Sequence, residues 1–192
     1  GVIVLHEDHL RFAHDRITES LQTLYSSTQR QSWHARLGQL LAAQADRLPQ
    51  QLIAAVNLLN LGGDQLAPEW RARLPELNRQ AAAAAQLNNA FDLAATFYAK
   101  AASLGAADAW TQHHADTLAL HLDWAQAAFH AGQYPQAEAL FSTLHQHAQS
   151  LDDRVRLATC EILYFEKINR FQQAIEVSQQ LLGELGITLP AP

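Results

Sequence analysis

Ten histidines in 192 residues make metal binding and proton transfer the first chemistries to weigh. A zinc site needs converging ligands, commonly two at i and i+4 on one helical face with a third from elsewhere. His113 and His114 are adjacent and so diverge by about 100° around a helix, and His114 and His121 stand seven residues apart, roughly 10 Å along its axis. His145 and His147 point to different faces for the same reason. No pair chelates, so no metal is expected. Cys160 is the only cysteine; thiol catalysis needs a positioned base that lowers its pKa, none is apparent along its helical stretch, and it reads as a packing residue. The Gly-x-x-x-x-Gly-Lys-Ser/Thr phosphate loop and the Gly-x-Ser-x-Gly elbow are both absent, so neither ATP nor ester hydrolysis is expected of this chain alone.

One stretch keeps a chemical option open. "RFAHDRI" (11 to 17) places His14 and Asp15 where an apolar run gives way to a helical pattern. Three readings compete for His14. It or Asp15 can cap the helix, because a carboxylate at a helix start accepts orphan N–H groups. It can be a phosphoacceptor, although Arg16 and Ile17 are in reverse order for the His box of histidine kinases and Glu19 stands where proline belongs. The third reading comes from a resemblance and follows below.

The elements that must position these residues are mostly helical. Residues 2 to 5 (VIVL) and 9 to 13 (HLRFA) favour strands around the polar "HED" and predict a short hairpin; two strands alone are marginal. From residue 14 the apolar period is near 3.6. Ile17, Leu21, Leu24 and Tyr25 form one stripe. Thr28 with Gln31 matches a capping box for a helix whose stripe is Trp33, Leu37, Leu40 and Leu41. Pro49 suits the first turn of a third helix, which Gly62-Gly63 stops. A fourth starts near Pro68, and Pro75 predicts a kink or break within it. The run "QAAAAAQ" predicts a close helix contact, and Asp152-Asp153 reads as acid at a helix start, where the dipole favours it.

The later helices repeat. Phe91, Tyr134 and Phe171 are each followed three residues on by alanine (Ala94, Ala137, Ala174), at offsets of 43 and 37 residues. Such periods mark stacked helical hairpins, in which each pair exposes an apolar face that a neighbour covers. Leu151, Val155, Ala158, Ile162 and Phe165 predict one seam. Phe171, Ala174, Ile175, Ser178, Leu181, Leu182 and Leu185 predict the stripe facing it, with Gly132 and Gly186 at helix ends that need positive φ. The series Gly132, Tyr134, Ala137, Phe141 resembles the second helix of tetratricopeptide-like repeats, with irregular repeat length and Ala125 where glycine is usual. That resemblance implies an all-α, right-handed superhelix of antiparallel helix pairs with a short N-terminal β-hairpin remnant.

A wider resemblance covers almost the whole chain. "LRFAHDRITESLQTLY", "RQSWHARLGQLL", "LHLDWAQAAFHAGQYPQAEALF" and "FQQAIEVSQQLLGELGITLP" are similar, in that order, to the STAND-type ATPase and helical regions of bacterial hybrid signalling kinases, which join a Ser/Thr kinase-like domain, an AAA-type ATPase, helical repeats, a GAF domain and a histidine kinase. It implies residues 1 to 25 as the end of a winged-helix-like ATPase subdomain and 26 to 192 as the repeat domain. It also implies His14 as a nucleotide-sensing residue in the parent, with ATP or ADP bound there and no cofactor in this segment, and protein domains in cis (ATPase, kinase, GAF) or a small effector as partners. The chain itself is then a non-catalytic regulatory segment. The alternatives are the ligand-sensing arm of an ATPase-type transcriptional regulator and a His14 phosphotransfer module.

Composition agrees with that class. A net charge of -6 provides no basic stripe for nucleic acid, no run spans a bilayer, and the absence of disulfide partners and of a signal sequence suggests an excised cytoplasmic segment. The polar and aromatic residues on the first helix of the 108 to 148 pair, Trp110, His113, His114, Thr117 and His121, are the expected ligand or partner surface.

Overall fold

The computed structural model describes residues 3–6, 9–12, 25–44 and 51–187. His14, Asp15, Pro49 and the stripe residues Ile17, Leu21 and Leu24 lie outside them. Contacts divide the chain into two compact units, Gly1–Arg71 and Ala72–Pro192. Beyond the first strands, the described residues are helical.

In the first unit, β1 (Ile3–His6) and β2 (His9–Phe12) pair antiparallel, Ile3 opposite Phe12 and His6 opposite His9. Helix α1 (Ser27–Ala42) opens on a reciprocal cap. The Ser26 hydroxyl accepts from Gln29 N–H at 3.2 Å, and Gln29 Oε1 accepts from Ser26 N–H at 3.0 Å. The expected box, Thr28 with Gln31, is therefore displaced by two residues, because Ser26 and Gln29 have the same chemistry and spacing and Ser26 has the extended backbone a cap requires. Helix α2 (Leu52–Gly62) ends at Gly63, whose φ of +50° suits glycine. The two helices meet through small residues. A Cβ on Gly38 would lie 2.9 Å from the Leu59 nitrogen, and one on Gly62 2.9 Å from Ala35. That closeness turns the predicted stripe outward: Trp33, Leu37 and Leu40 are each about half exposed, while Ala35 and Gly38 are buried.

Helix α3 (Pro68–Leu87) runs without interruption through Pro75, so of the expected kink or break, the break is absent. Leu74, Leu77, Ala81, Ala82 and Ala85 on either side of the proline are all buried, and burial of one continuous face outweighs one lost backbone hydrogen bond. Within the alanine run, Ala81, Ala82 and Ala85 are fully buried.

Six helices follow in the second unit: α4 (Phe91–Ser103), α5 (Ala109–Gln112), α6 (His114–His130), α7 (Tyr134–His147), α8 (Leu151–Lys167) and α9 (Phe171–Glu184). Helix α6 packs along α4, α7 and α8, and α8 packs along α9. The core joins Leu118, Leu122 and Phe129 of α6 to Phe141 and Leu144 of α7 and to Leu157 and Tyr164 of α8.

One turn recurs at three links. Asn89, Gly132 and Asn169 take left-handed φ values of +58°, +78° and +58°. The residue after each donates its N–H back to Ala85, Ala128 or Phe165 at 2.8 to 2.9 Å, the six-to-one bond of a Schellman cap. Gly186, at +74°, closes α9 in the same way. After each link comes the marker aromatic as the first helical residue, and the alanine three positions on is buried: Ala94 and Ala137 at 0% exposure, Ala174 at 6%. The aromatics themselves lie at helix edges, Phe91 stacking on His130 at 4.7 Å and Tyr134 tilting against Tyr164 at 6.2 Å.

Two predicted seams are buried only in part. On α8 the buried residues are Asp153, Leu157, Ala158, Cys160, Glu161 and Tyr164, while Leu151 is exposed. This helix is contacted by α6, α7 and α9, so its buried face is wider than the stripe counted by period, of which Ala158 is buried and Val155, Ile162 and Phe165 are half-buried. On α9 only Ala174 is buried, and Phe171, Ile175 and Leu185 are 43 to 57% exposed. No helix among the described residues is long and apolar enough to cross a membrane.

Candidate functional site

The expected first helix of the 108 to 148 pair is two helices. His113 has φ -134° and ψ 46°, which breaks the run between α5 and α6. The Thr117 hydroxyl spans the break, within reach of the carbonyls of Ala109 at 3.1 Å and His113 at 2.8 Å, so the four-residue α5 is hinged to the first turn of α6.

A groove of about 440 Å³ opens beside this junction, between α3, the end of α4, α5 and the start of α6. Its volume lies within the usual range for small-ligand pockets. Ala72, Ala101 and Ala102 line part of it with small side chains, and Trp110, His113, Thr117 and His121 line another part. Glu76 and Arg79 of α3 and Asp116 of α6 add charge to the lining, and Glu76 and Arg79 are 3.7 Å apart. Four of the five residues nominated from the sequence thus line one cavity.

The fifth does not. His114 turns the other way, and its Nε2 lies 2.9 Å from Asp153 Oδ2. The same carboxylate oxygen accepts Gln149 N–H and Ser150 N–H, each at 3.0 Å, while the Ser150 hydroxyl accepts Asp153 N–H. Burial alone would raise the pKa of Asp153, but these donors, from Ser150, His114 and Gln149, hold the carboxyl well below the usual range. An ionised Asp153 only accepts, so His114 donates from Nε2; its Nδ1 is buried without a hydrogen-bond partner. A His–Asp pair is the supporting half of a nucleophilic site, yet no hydroxyl or thiol sits on the remaining ring nitrogen. Here the pair ties the start of α6 to the start of α8.

Sequence reasoning missed the partners of Trp110. His147 from the last turn of α7 stacks on the indole at 4.1 Å with planes 4° apart, and His121 approaches it at 4.7 Å and 41°. His121 Nδ1 lies 2.7 Å from the Thr117 carbonyl. A carbonyl only accepts, so the proton is on Nδ1 and Nε2 is the free acceptor. Burial lowers the pKa of His121, the Thr117 hydrogen bond opposes that, and nearby His147 adds to it. Thirty-seven residues separate Trp110 from His147, and no periodicity links them.

A second His–carboxylate pair lies between α7 and α8: His145 Nε2 is 2.7 Å from Glu161 Oε1. Burial pushes the Glu161 carboxyl up, against the pull of His145. Cys160 is buried, its sulfur 4.0 Å from the Leu122 carbonyl, and burial pushes its thiol up to about 12, as the packing reading requires. No group of three or more His, Cys, Asp or Glu among the described residues could hold a metal ion. No family model, curated protein or solved structure matches the chain.

Proposed function

We propose that this chain is a non-catalytic binding segment of tetratricopeptide-like helical pairs, which grips an apolar anchor side chain of a protein partner in the groove walled by Trp110, His113, Thr117 and His121. The groove carries the reading: small alanines in its lining leave room for a side chain, aromatic rings give contact area, and the charges of Glu76, Arg79 and Asp116 orient a peptide. The recurring left-handed link with a buried alanine after it supports a repeat architecture. The order of the quoted motifs supports a parent that is a bacterial signalling ATPase or kinase, cytoplasmic, with His14 as its nucleotide-sensing residue and the groove relaying partner binding to neighbouring domains.

The test is selection of displayed peptides on the folded chain, followed by rebinding to Ala102→Trp, which fills the groove. Selected peptides should share a large apolar residue and lose affinity at least tenfold on the filled variant. Peptides that bind both proteins equally would remove the groove from the function. Reading the gene on both sides of the segment tests the parent: ATPase, kinase and GAF segments support it, and a terminal helix-turn-helix replaces it with a transcriptional regulator.

A further inference from the structure

We propose that Trp110, in ring contact with His147 and His121, is a proton-operated clasp on α5 that sets how firmly the groove wall is formed. This regulation rests on the reading of the groove as a binding site.

The clasp is visible in geometry alone. Helix α5 has four residues, too few to be stable by itself. What holds it is the Thr117 hydroxyl near Ala109 O and the Trp110 side chain, whose ring meets imidazoles from two other helical segments: His147 of α7 face to face, and His121 of α6 on a tilt. Trp110 also faces His114 at 6.0 Å. The indole and His121 both line the groove, so any change in the stack acts directly on its wall.

The two imidazoles are not equivalent. Burial and nearby His147 disfavour charge on His121, while its Nδ1 contact with the Thr117 carbonyl opposes them. His147 sits in the last turn of α7, where the helix dipole favours a cation, and it is stacked at a distance suited to cation–π attraction. A proton entering the cluster therefore goes to His147, and its charge discourages a second on His121. The other charges around the cluster leave that order intact. His114 is bound to Asp153, and His145 is bound to Glu161. From α3 the groove receives one acid and one base, Glu76 with Arg79, and from α6 it receives His113 and Asp116. Protonation of His147 tightens the stack and holds α5 closed. Further acidification forces a charge onto His121 and breaks its neutral arrangement.

The experiment uses the full chain with Trp33, Trp70 and Trp124 changed to phenylalanine, leaving Trp110 as the reporter. Its fluorescence is followed between about pH 8 and 5, where histidine changes charge, in parallel with His147→Phe and His147→Gln. Imidazolium quenches indole, so emission should fall on acidification in the parent and stay level in both variants. Protection of the α5 amides, corrected for intrinsic exchange, should rise about two- to fivefold over the first step, the attraction expected of a cation on an exposed indole face. A level emission, or an identical fall in the His147 variants, overturns the clasp. The apolar dye 1-anilinonaphthalene-8-sulfonate, displaced by Ala102→Trp, reads the groove separately. If the dye binds equally at both pH values while Trp110 titrates, the clasp does not regulate the groove and the proposal falls with the groove intact. If the dye is not displaced by Ala102→Trp, the groove reading fails, and the indole titration still decides the clasp.

Discussion

Asp153→Ala removes an atom on which two helix starts depend. Asp153 Oδ2 receives three donors within 3.0 Å, His114 Nε2 and the N–H groups of Gln149 and Ser150, and the side chain is only 10% exposed. Loss of a cap costs roughly 1 kcal/mol. Loss of the charge-assisted bond to His114 adds about 1.5 kcal/mol, the low end for such bonds because the freed backbone groups of Gln149 and Ser150 can reach water. The sum is about 2.5 kcal/mol, or roughly 5–10 °C in Tm for a chain of this size. Urea unfolding followed by circular dichroism measures it, with Asp153→Asn, which keeps one acceptor, falling between the two. The pH dependence follows from the depressed carboxyl of Asp153. A folded pKa below the unfolded value gives stability that is complete above about pH 3.9 and is lost as pH falls through the folded value. The gap between parent and Asp153→Ala should therefore be constant from about pH 8 to 5 and narrow below about pH 4. A loss under about 1 kcal/mol, or a gap that closes near neutrality, would refute the role given to this carboxylate.

Two glycines on helices should respond in opposite senses to alanine. In Gly38→Ala the new methyl lies 2.9 Å from the backbone nitrogen of Leu59; overpacking of roughly 1–3 kcal/mol exceeds the helix-propensity gain of about 1 kcal/mol, and the melt should fall. Gly183→Ala in α9 meets nothing within 4 Å and should gain up to about 1 kcal/mol; changes of the same sign would contradict the close α1–α2 crossing. With its thiol pushed up to about 12, Cys160 should react with a disulfide reagent at neutral pH at least a hundredfold more slowly in the native protein than in urea, since thiolate is the attacking form. Comparable rates would mean that the packing of α6 on α8 opens freely.

Local signals were the legible ones. Gly63, Gly132 and Gly186 announced helix ends because positive φ is a property of one residue, and the alanines after Phe91, Tyr134 and Phe171 announced burial because the link before them recurs. Asn89 and Asn169 fill the same left-handed position and were not read, since asparagine marks it less strongly than glycine. At Pro75 the break, one of the two expected outcomes, is absent, because the local cost is offset by a buried face on either side. The groove was half legible: Trp110, His113, Thr117 and His121 share a neighbourhood in sequence, whereas the turn at His113 and the partners His147 and Asp153 arise from tertiary packing. The direction of His114 depends on a carboxylate thirty-nine residues away, beyond the reach of any periodic pattern.

Helix α9 keeps a single residue, Ala174, out of water, while α6 and α7 anchor theirs through Leu118, Phe129 and Leu144. Under force or heat the described part of the chain should therefore open first at that side, α9 leaving its half-buried contacts with α8 while the interior helices hold. Opening would then be graded from helix to helix, so a ligand that braces α8 against α9 would stiffen them without altering their average shape.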